Sequence, residues 1–159
     1  MYKIDINIFI PPINLLDREG FSNTGLIDKL DEIEKQALEE ELIFRLQNDT
    51  IPDIMMIEAL AYLKSVKSIP LMMNVLNNTS NLVSKIRIAF SIYRLNKNHE
   101  FIHIALNALQ MFDDYYTLIL SFYYAAKFND KKINDYIRSY INHPDFLVSY
   151  NARAVLGIK

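Results

Sequence analysis

The 159-residue sequence contains no cysteine and no tryptophan, and only three of its residues are glycine. Without cysteine, the chain forms no disulfide and offers neither a thiolate nucleophile nor a cysteine metal ligand. Gly20, Gly25 and Gly157 stand too far apart to build a phosphate-binding loop, and the GxSxG motif does not occur. The sequence therefore lacks the motifs of phosphate-loop proteins and of serine or cysteine hydrolases.

Long apolar runs are also absent. No stretch approaches the roughly 18 uncharged apolar residues that predict a membrane-spanning helix. The apolar segment near the start is interrupted by Asp5 and Asn7 and ends at Pro11–Pro12, which is not a signal-peptide pattern. We therefore expect a cytoplasmic protein with no membrane partner. The small number of glycines and prolines is typical of long helices with short connections.

The charges are distributed unevenly along the chain. Residues 1–50 carry eleven acidic and five basic side chains, whereas residues 51–159 carry eight acidic and twelve basic ones. The resulting balances, −6 and +4, are both modest. The basic part falls short of the electrostatic footprint of a nucleic-acid binder, so we interpret these charges as solvated helix faces.

An apolar helical pattern repeats along the middle of the chain. Residues 53–111 read as two helix–turn–helix pairs with polar turns at 65–68 and 96–98, and Leu63 and Leu95, which close the two first helices, lie 32 residues apart. A period in this range indicates stacked pairs of helices, none of which buries its apolar face alone.

A third pair follows at the same spacing. Ile69 and Ile102, which open the second helices, lie 33 residues apart, and Phe128 ends the next first helix 33 residues after Leu95. The pattern predicts helix pairs near 53–77, 82–111 and 115–142. The residues expected in buried layers between the pairs are Leu60, Leu63, Ile92, Leu95, Ala125 and Phe128.

The two flanks of this array differ from it and from each other. At the C-terminal side, Leu147–Val148–Ser149 repeats Leu82–Val83–Ser84 two periods later, which predicts a half pair whose helix continues to the last residue. At the other side, residues 26–47 predict one long acidic helix that caps the array. Ile4, Ile6, Ile8 and Ile10 alternate with other residues, which favours an extended arm at residues 1–25. The apolar stripe predicted for the acidic helix is Leu26, Ile27, Leu30, Ile33, Ala37, Leu38, Leu42 and Leu46.

The repeats resemble the HEAT-like family. The tail HPDFLVSYNARAVLGIK is similar to the family pattern of an Asp-containing turn, a valine, and a helix with Ala and Leu four residues apart before a glycine. The segment SIPLMMNVL resembles the opening of the family's second helix. The resemblance implies an all-α fold, a short right-handed α-α solenoid that forms a single domain over 26–159 behind the extended arm. The matching tail positions are Asp145, Val148, Ala152, Leu156 and Gly157.

One short segment of the sequence matches a motif of zinc-dependent hydrolases. His99-Glu100-Phe101-Ile102-His103 is an HExxH pattern, in which two histidines on one helix face hold zinc and the glutamate activates water. A catalytic site needs a third ligand, and Glu100 is the last glutamate of the chain. Asp113, Asp114 and His143 are the remaining candidates, but no spacing marks them. We therefore interpret the string as coincidental and expect no metal or other cofactor.

Two tyrosine pairs, Tyr115–Tyr116 and Tyr123–Tyr124, suggest either stacking on nucleic-acid bases or packing into a core. They alternate with aliphatic residues on one predicted helix. We favour core packing with the hydroxyl groups at the surface.

Three functions fit these patterns. We favour a non-catalytic protein-binding solenoid, either an adaptor or an immunity protein that neutralises a toxin by covering its active site. The alternatives are a HEAT-like nucleic-acid-binding protein or DNA glycosylase, and a zinc-dependent hydrolase. In HEAT-like proteins the second helices line the concave face, where ligands dock. Aligning these helices places polar residues at equivalent positions on successive second helices. We call this set the polar ladder and predict that it binds the partner; it consists of Asn74, His103, Asn107, Gln110, Asn134 and Arg138.

Overall fold

In the computed structural model, residues 5–9, 23–48 and 52–159 are described. Over those residues the chain forms nine α-helices and three short 3-10 helices, and it contains no β-strand. The predicted all-α class is therefore confirmed. The 3-10 helices are Ile6–Phe9, Val66–Ser68 and Ala126–Phe128. The α-helices are α1 Thr24–Ile27, α2 Glu32–Asn48, α3 Ile54–Tyr62, α4 Ile69–Asn78, α5 Leu82–Asn96, α6 Glu100–Leu109, α7 Tyr115–Ala125, α8 Lys131–Arg138 and α9 Phe146–Val155.

The chain forms two compact units, a first unit of Met1–Val75 and a second unit of Leu76–Lys159. The boundary between them falls inside α4. It differs from the boundary near residue 25 that the sequence pattern indicates, and the single repeat domain over 26–159 stays a prediction.

The extended arm predicted for residues 1–25 is not found where the structure describes that segment. Ile6–Phe9 is a 3-10 helix, closed by the amide of Ile8 donating to the carbonyl of Asp5 at 3.3 Å. The ring of Phe9 is buried, and its carbonyl accepts a hydrogen bond from Asn23 Nδ2 at 3.3 Å. The alternating isoleucines indicate a strand, whereas the chain here makes a 3-10 turn that ends at the buried Phe9. Residues 1–4 and 10–22 lie outside the described residues.

The acidic helix predicted over 26–47 is two helices, because Asp31 starts a new one. The amide of Glu34 donates to Asp31 Oδ1 at 2.8 Å, and the amide of Asp31 donates to Glu34 Oε2 at 3.0 Å. This reciprocal capping box satisfies amide groups that have no partner within the helix. α2 buries only the side that carries Leu38, Leu42 and Leu46. Two other residues of the predicted apolar stripe are therefore exposed, Ile33 by 81% and Ala37.

The core of the first unit lies between α2 and α3. One side of α2 buries Leu38, Leu42 and Leu46, a spacing of four residues that places them along one line of the helix. α3 buries Met56, Ile57 and Leu60 among others, and its N-terminus is capped by Asp53, whose carboxylate accepts from the amide of Met55 at 2.9 Å. Polar contacts at the surface join further elements of this unit: Lys67 Nζ, in the 3-10 helix Val66–Ser68, lies 3.0 Å from Glu39 of α2, and the Tyr62 hydroxyl of α3 lies 2.7 Å from Oδ1 of Asp28, which follows α1.

The second unit follows the predicted helix pairs closely. α5 packs against α6 and α7, α7 packs against α6 and α9, and α8 packs against α6 and α9. The starts of four of these helices are fixed by side chains that accept backbone amides, as the Asn and Asp residues at those positions predict. These caps are Asn81, Asp114, Asp130 and Asp145.

α5 and α7 lie side by side and run in the same direction. Arg87 contacts Tyr124 of α7. Further along α5, Phe90 and Tyr93 contact Phe128 of the 3-10 helix that continues from α7, with ring centroids 5.1 and 5.3 Å apart. Contacts that advance together along two helices require parallel axes.

Two residues of the predicted core layers are not fully buried. Leu60, Ile92, Ala125 and Phe128 are buried, as predicted. Leu63 and Leu95 are only partly buried. Leu63 is the C-cap of α3 and Leu95 lies in the last turn of α5, and helix ends are covered on fewer sides than helix middles.

α9 ends before the last residue, contrary to the prediction. The amide of Ile158 donates to the carbonyl of Arg153 at 2.9 Å, and the amide of Gly157 donates to Ala154 at 3.1 Å. Gly157 has φ +66°, the left-handed conformation that this pair of hydrogen bonds requires. The glycine therefore ends the helix.

Candidate partner-binding surface

The predicted polar ladder is exposed but sparsely charged. His103, Asn107 and Gln110 are exposed along one line of α6, and on α8 Arg138 is exposed and Asn134 is half-buried. α6 and α8 pack together, so these residues lie on neighbouring helices. Arg138 Nη1 donates to Asp135 at 2.7 Å, which offsets the one full charge of the ladder.

The sixth ladder residue belongs to the other compact unit. Asn74 is exposed on α4 and lies in the first unit, Met1–Val75. The ladder's role in binding stays a prediction.

The HEFIH string forms the start of α6. His99 precedes the first residue of the helix, and its ring packs edge-on against Tyr93 with centroids 6.2 Å apart. Phe101 and Ile102 are buried, whereas Glu100 and His103 are exposed. Among the residues that the structure describes, no three or more His, Cys, Asp or Glu side chains group closely enough to hold a metal ion.

A shallow groove in the first unit has its charges paired internally. Glu32, Lys35, Gln36, Glu39 and Leu63 line it. Lys35 Nζ lies 2.8 Å from Glu32, a hydrogen bond that raises the pKa of the lysine, and Glu39 pairs with Lys67. These pairs leave little uncompensated charge with which to select a ligand.

Most of the large exposed apolar side chains of the second unit lie on α7 and α9. We call this set the aromatic face, and we define it as Tyr116, Leu120, Tyr123, Phe146, Leu147 and Tyr150. Exposed fractions run from 44% for Leu120 to 86% for Tyr116. On α7 the three members are spaced four and three residues apart, which places them along one side of the helix.

The two halves of the aromatic face are joined by direct contacts. The Tyr123 hydroxyl lies 2.7 Å from Asn151 Oδ1, which connects α7 to α9. Asn151 Nδ2 in turn donates to the carbonyl of Leu147 at 2.7 Å, and the rings of Phe146 and Tyr150 are stacked at 5.7 Å. The face is therefore held in one arrangement and is not a set of independent side chains.

The prediction that both tyrosine pairs pack into the core is wrong for most of their members. Tyr115, Tyr116 and Tyr123 are exposed and Tyr124 is half-buried. The helix buries its other side instead, through Leu118, Ser121, Phe122 and Ala125. Because nearly every residue of α7 is apolar or tyrosine, its periodicity does not show which side is buried. The small residues Ser121 and Ala125 were the available signal, since they permit close helix packing.

Cations border the aromatic face on the side of α5. We call Arg87 and Lys127 the cationic edge, because both contact the ring of Tyr124. The guanidinium carbon of Arg87 lies 4.8 Å from the centroid of the Tyr124 ring, and Lys127 Nζ lies 5.1 Å from the same centroid. Both distances are within the range of cation–π attraction. Tyr124 follows Leu120 by four residues on α7, which makes the two side chains neighbours on the helix surface and places the cationic edge beside the aromatic face.

Carboxylates cap the opposite end of α7 and the start of α9. Asp114 accepts hydrogen bonds from the amide and the hydroxyl of Thr117, both at 2.7 Å, and these bonds lower the pKa of Asp114. Asp145 accepts from the amide of Leu147 at 2.8 Å. The surface thus changes from acidic at the starts of α7 and α9 to basic beyond the end of α7.

Within the described part of the chain, no helix has the length and apolar character needed to cross a membrane. Comparisons of the chain with protein-family models, with curated proteins and with solved structures found no match.

Proposed function

We propose that the chain is a non-catalytic protein-binding module built of HEAT-like helix pairs, and that its partner docks on the aromatic face. The observation that carries this proposal is the contiguous group of exposed tyrosine, phenylalanine and leucine side chains on α7 and α9. Exposed apolar patches of this kind mark interaction sites, and tyrosine is among the residues that contribute most to protein association. An adaptor and a toxin-neutralising immunity protein both act by covering another protein's surface.

The arrangement of the second unit supports the HEAT-like part of the proposal. Consecutive pairs α5–α6 and α7–α8 follow one another along the chain, and the first helices of the pairs pack side by side in parallel. Such repetition produces a broad surface of first helices and another of second helices. The aromatic face lies on first helices, and the polar ladder lies on second helices.

Side-chain chemistry favours the aromatic face over the ladder as the main site. Truncating a buried aromatic anchor at an interface costs about 2 kcal/mol or more, whereas exposed polar residues at a rim contribute little. The ladder offers amides, one histidine and one paired arginine. It therefore fits the edge of an interface better than its centre.

A quantitative pull-down from the native host tests the proposal. The bait is the tagged full chain, compared with the face variant Tyr116→Ser/Tyr150→Ser and the ladder variant Asn107→Arg/Arg138→Glu. We expect the face variant to bind the partner at least about tenfold more weakly, a loss of about 1.4 kcal/mol in binding free energy. The ladder variant should still retain the partner. Circular dichroism melting curves establish that both variants fold. Partner loss confined to the ladder variant would move the site to α6 and α8, and retention by both would refute a site on either surface.

A further inference from the structure

We propose that the aromatic face of one molecule packs against the aromatic face of a second copy of the chain, in a two-fold symmetric dimer whose α7 helices run antiparallel. The inference goes beyond the proposed function, because it concerns what covers the face when no other protein does. The dimer and the proposed partner would use the same side chains, so each would exclude the other.

α7 and α9 run parallel and in register along the aromatic face. The ring of Tyr115 contacts that of His143 with centroids 4.6 Å apart, and the Tyr123 hydroxyl lies 2.7 Å from Asn151 Oδ1. Both contacts join residues that are 28 positions apart in the chain. Contacts that keep one offset along two helices require parallel axes, so the starts of both helices lie at the same end of the face.

The α7 part of the aromatic face has a symmetric order of side chains with opposite charges at its two ends. Tyr116, Leu120 and Tyr123 are spaced four and three residues apart along one side of the helix. Asp113 precedes them and Lys127 follows them, and each lies seven residues from Leu120, roughly 10 Å along the axis. From either end, the order is a charged residue, a tyrosine, a leucine, a tyrosine and a charged residue.

This order is complementary to itself when the second copy is turned end to end. Leu120 then faces Leu120 of the second copy, and Tyr116 faces Tyr123 of the second copy. Asp113 faces Lys127 of the second copy, and a two-fold axis makes this contact twice, once at each end of the interface. A parallel pairing would instead bring together the carboxylates at the starts of the helices, and like charges across an interface oppose association.

The two end charges are placed where a second copy can reach them. Asp114, and not Asp113, caps α7 by accepting from the amide of Thr117. Asp113 and Lys127 are both exposed, and neither forms an ion pair within the described part of the chain. Lys127 Nζ lies 5.1 Å from the centroid of the Tyr124 ring, a contact that leaves its positive charge in place.

The exposed area of the face is close to the area that a stable dimer buries. Its four aromatic members are 45–86% exposed. An aromatic side chain carries roughly 200 Å², so these four alone expose on the order of 500 Å². A standard interface buries about 800 Å² on each partner, so the two leucines and the rim need to supply only the remainder. A net charge of −2 adds little repulsion between two copies.

Sedimentation of the full chain at increasing concentration tests the dimer and the direction of its helices. We expect the mean mass to rise from 18.6 kDa, that of one chain, towards twice that value. Asp113→Lys and Lys127→Asp should each weaken the dimer at least about tenfold, because like charges then meet at both ends. The combined variant Asp113→Lys/Lys127→Asp should restore the wild-type affinity. Lys132→Asp makes the same change of charge as Lys127→Asp on the exposed surface of α8, and it should leave the dimer unchanged.

Crosslinking tests the position of the two-fold axis. Because the chain contains no cysteine, Leu120→Cys introduces its only thiol. A short bismaleimide should join two chains through this position, since Leu120 faces itself across the axis. Gln110→Cys, at an exposed position next to α6, is the matched control and should crosslink far less at the same concentration. Equal crosslinking of the two variants would overturn the proposed axis.

Three results of the sedimentation experiment would also overturn the inference. They are a single-chain mass at every concentration up to the solubility limit, a dimer that persists in Tyr116→Ser/Tyr150→Ser, and a combined charge variant that does not recover. The proposed function is judged separately by the pull-down, so a monomer whose face variant loses the host partner would refute the dimer alone. If a charge-reversal variant does not fold by circular dichroism, Asp113→Asn and Lys127→Gln replace it with a smaller expected loss.

Discussion

Among the residues that the structure describes, three other than glycine adopt the left-handed backbone conformation, and each lies at or just beyond the end of a helix. They are Lys64, Lys97 and Asn129, with φ between 51° and 60°. At Lys64 the geometry is complete: its amide donates to Ala61 at 3.2 Å and the amide of Ser65 donates to Leu60 at 3.0 Å. This is the same motif that Gly157 makes after α9, with a lysine in the position that usually belongs to glycine.

We predict that Lys64→Gly stabilises the protein by up to about 1 kcal/mol, since a side chain costs about that much in the left-handed conformation. Urea denaturation measures the change in the free energy of unfolding. Lys85→Gly is the matched control, because Lys85 lies inside α5 and glycine there should destabilise by about 1 kcal/mol. A loss of stability on Lys64→Gly would mean that the lysine side chain makes a contact worth more than the backbone strain.

Asp114 gives a prediction on the effect of pH. Its bonds with Thr117 hold its pKa below the ordinary value of 3.8 in the folded state. The associated stability is therefore present above pH 3.8 and is lost as the pH falls through the lower, folded pKa. Asparagine also caps helices but does not titrate in this range.

We accordingly expect Asp114→Asn to make the thermal midpoint fall less steeply between roughly pH 4 and pH 2. Asp113→Asn removes the same charge from a neighbouring position that caps no helix, and it serves as the control. Identical acid limbs for wild type and Asp114→Asn would show that this cap does not contribute to acid sensitivity.

At the scale of helices, sequence predicted best where a cap and an unambiguous apolar stripe coincide. α5 and α8 begin directly after their N-cap residues, Asn81 and Asp130, and both helices alternate apolar with charged residues. The sequence predicted one helix where the structure has α1 and α2. The Asp31–Glu34 capping box marks the start of the second helix, but apolar residues at helical spacing on both sides of it favoured a single continuous helix. α7 failed for the opposite reason: with apolar residues on all sides, only its neighbours α5, α6 and α9 determine which side is buried.

The candidate site was for that reason the least predictable part of the molecule. Five of the six ladder residues are exposed and Asn134 is half-buried, but exposure is common to most polar residues and identifies no site. The aromatic face required knowledge of the phase of α7 and of its contact with α9 through Tyr123 and Asn151. Those facts depend on tertiary packing, which one sequence does not contain.

The position of a residue along its helix also decides its contribution to stability. The repeat places Leu95 in a buried layer, but Leu95 is only partly buried in the last turn of α5, whereas Ile92 is fully buried one turn earlier. We expect Ile92→Ala to cost about 2–5 kcal/mol as a core truncation. Leu95→Ala should cost about 1 kcal/mol, because folding buries less of the apolar surface of Leu95 than of Ile92. Chemical denaturation of both variants checks the order, and equal costs would show that the end of α5 is packed as tightly as its middle.

At the scale of the whole molecule, the two compact units carry opposite charge. The first, residues 1–75, has thirteen acidic and seven basic side chains, and the second, residues 76–159, has six acidic and ten basic ones. Formal balances of −6 and +4 leave a net charge of only −2. Net charge is what keeps proteins apart in solution, so electrostatic repulsion between molecules is weak here near neutral pH.

Weak repulsion together with an exposed aromatic face predicts self-association near the isoelectric point. The sequence pI is about 5.9, and at that pH the net repulsion vanishes while the apolar side chains of α7 and α9 stay exposed. We expect light scattering of concentrated protein to rise near pH 5.9. The variant Tyr116→Ser/Leu147→Ser/Tyr150→Ser should scatter much less, and its unfolding free energy should change by no more than about 0.5 kcal/mol per substitution, as is usual for exposed sites. A ladder variant, Asn107→Ser/Gln110→Ser, removes polar side chains of the same unit and should scatter like the wild type. Equal scattering from the serine triple variant and the wild type would show that another surface drives association.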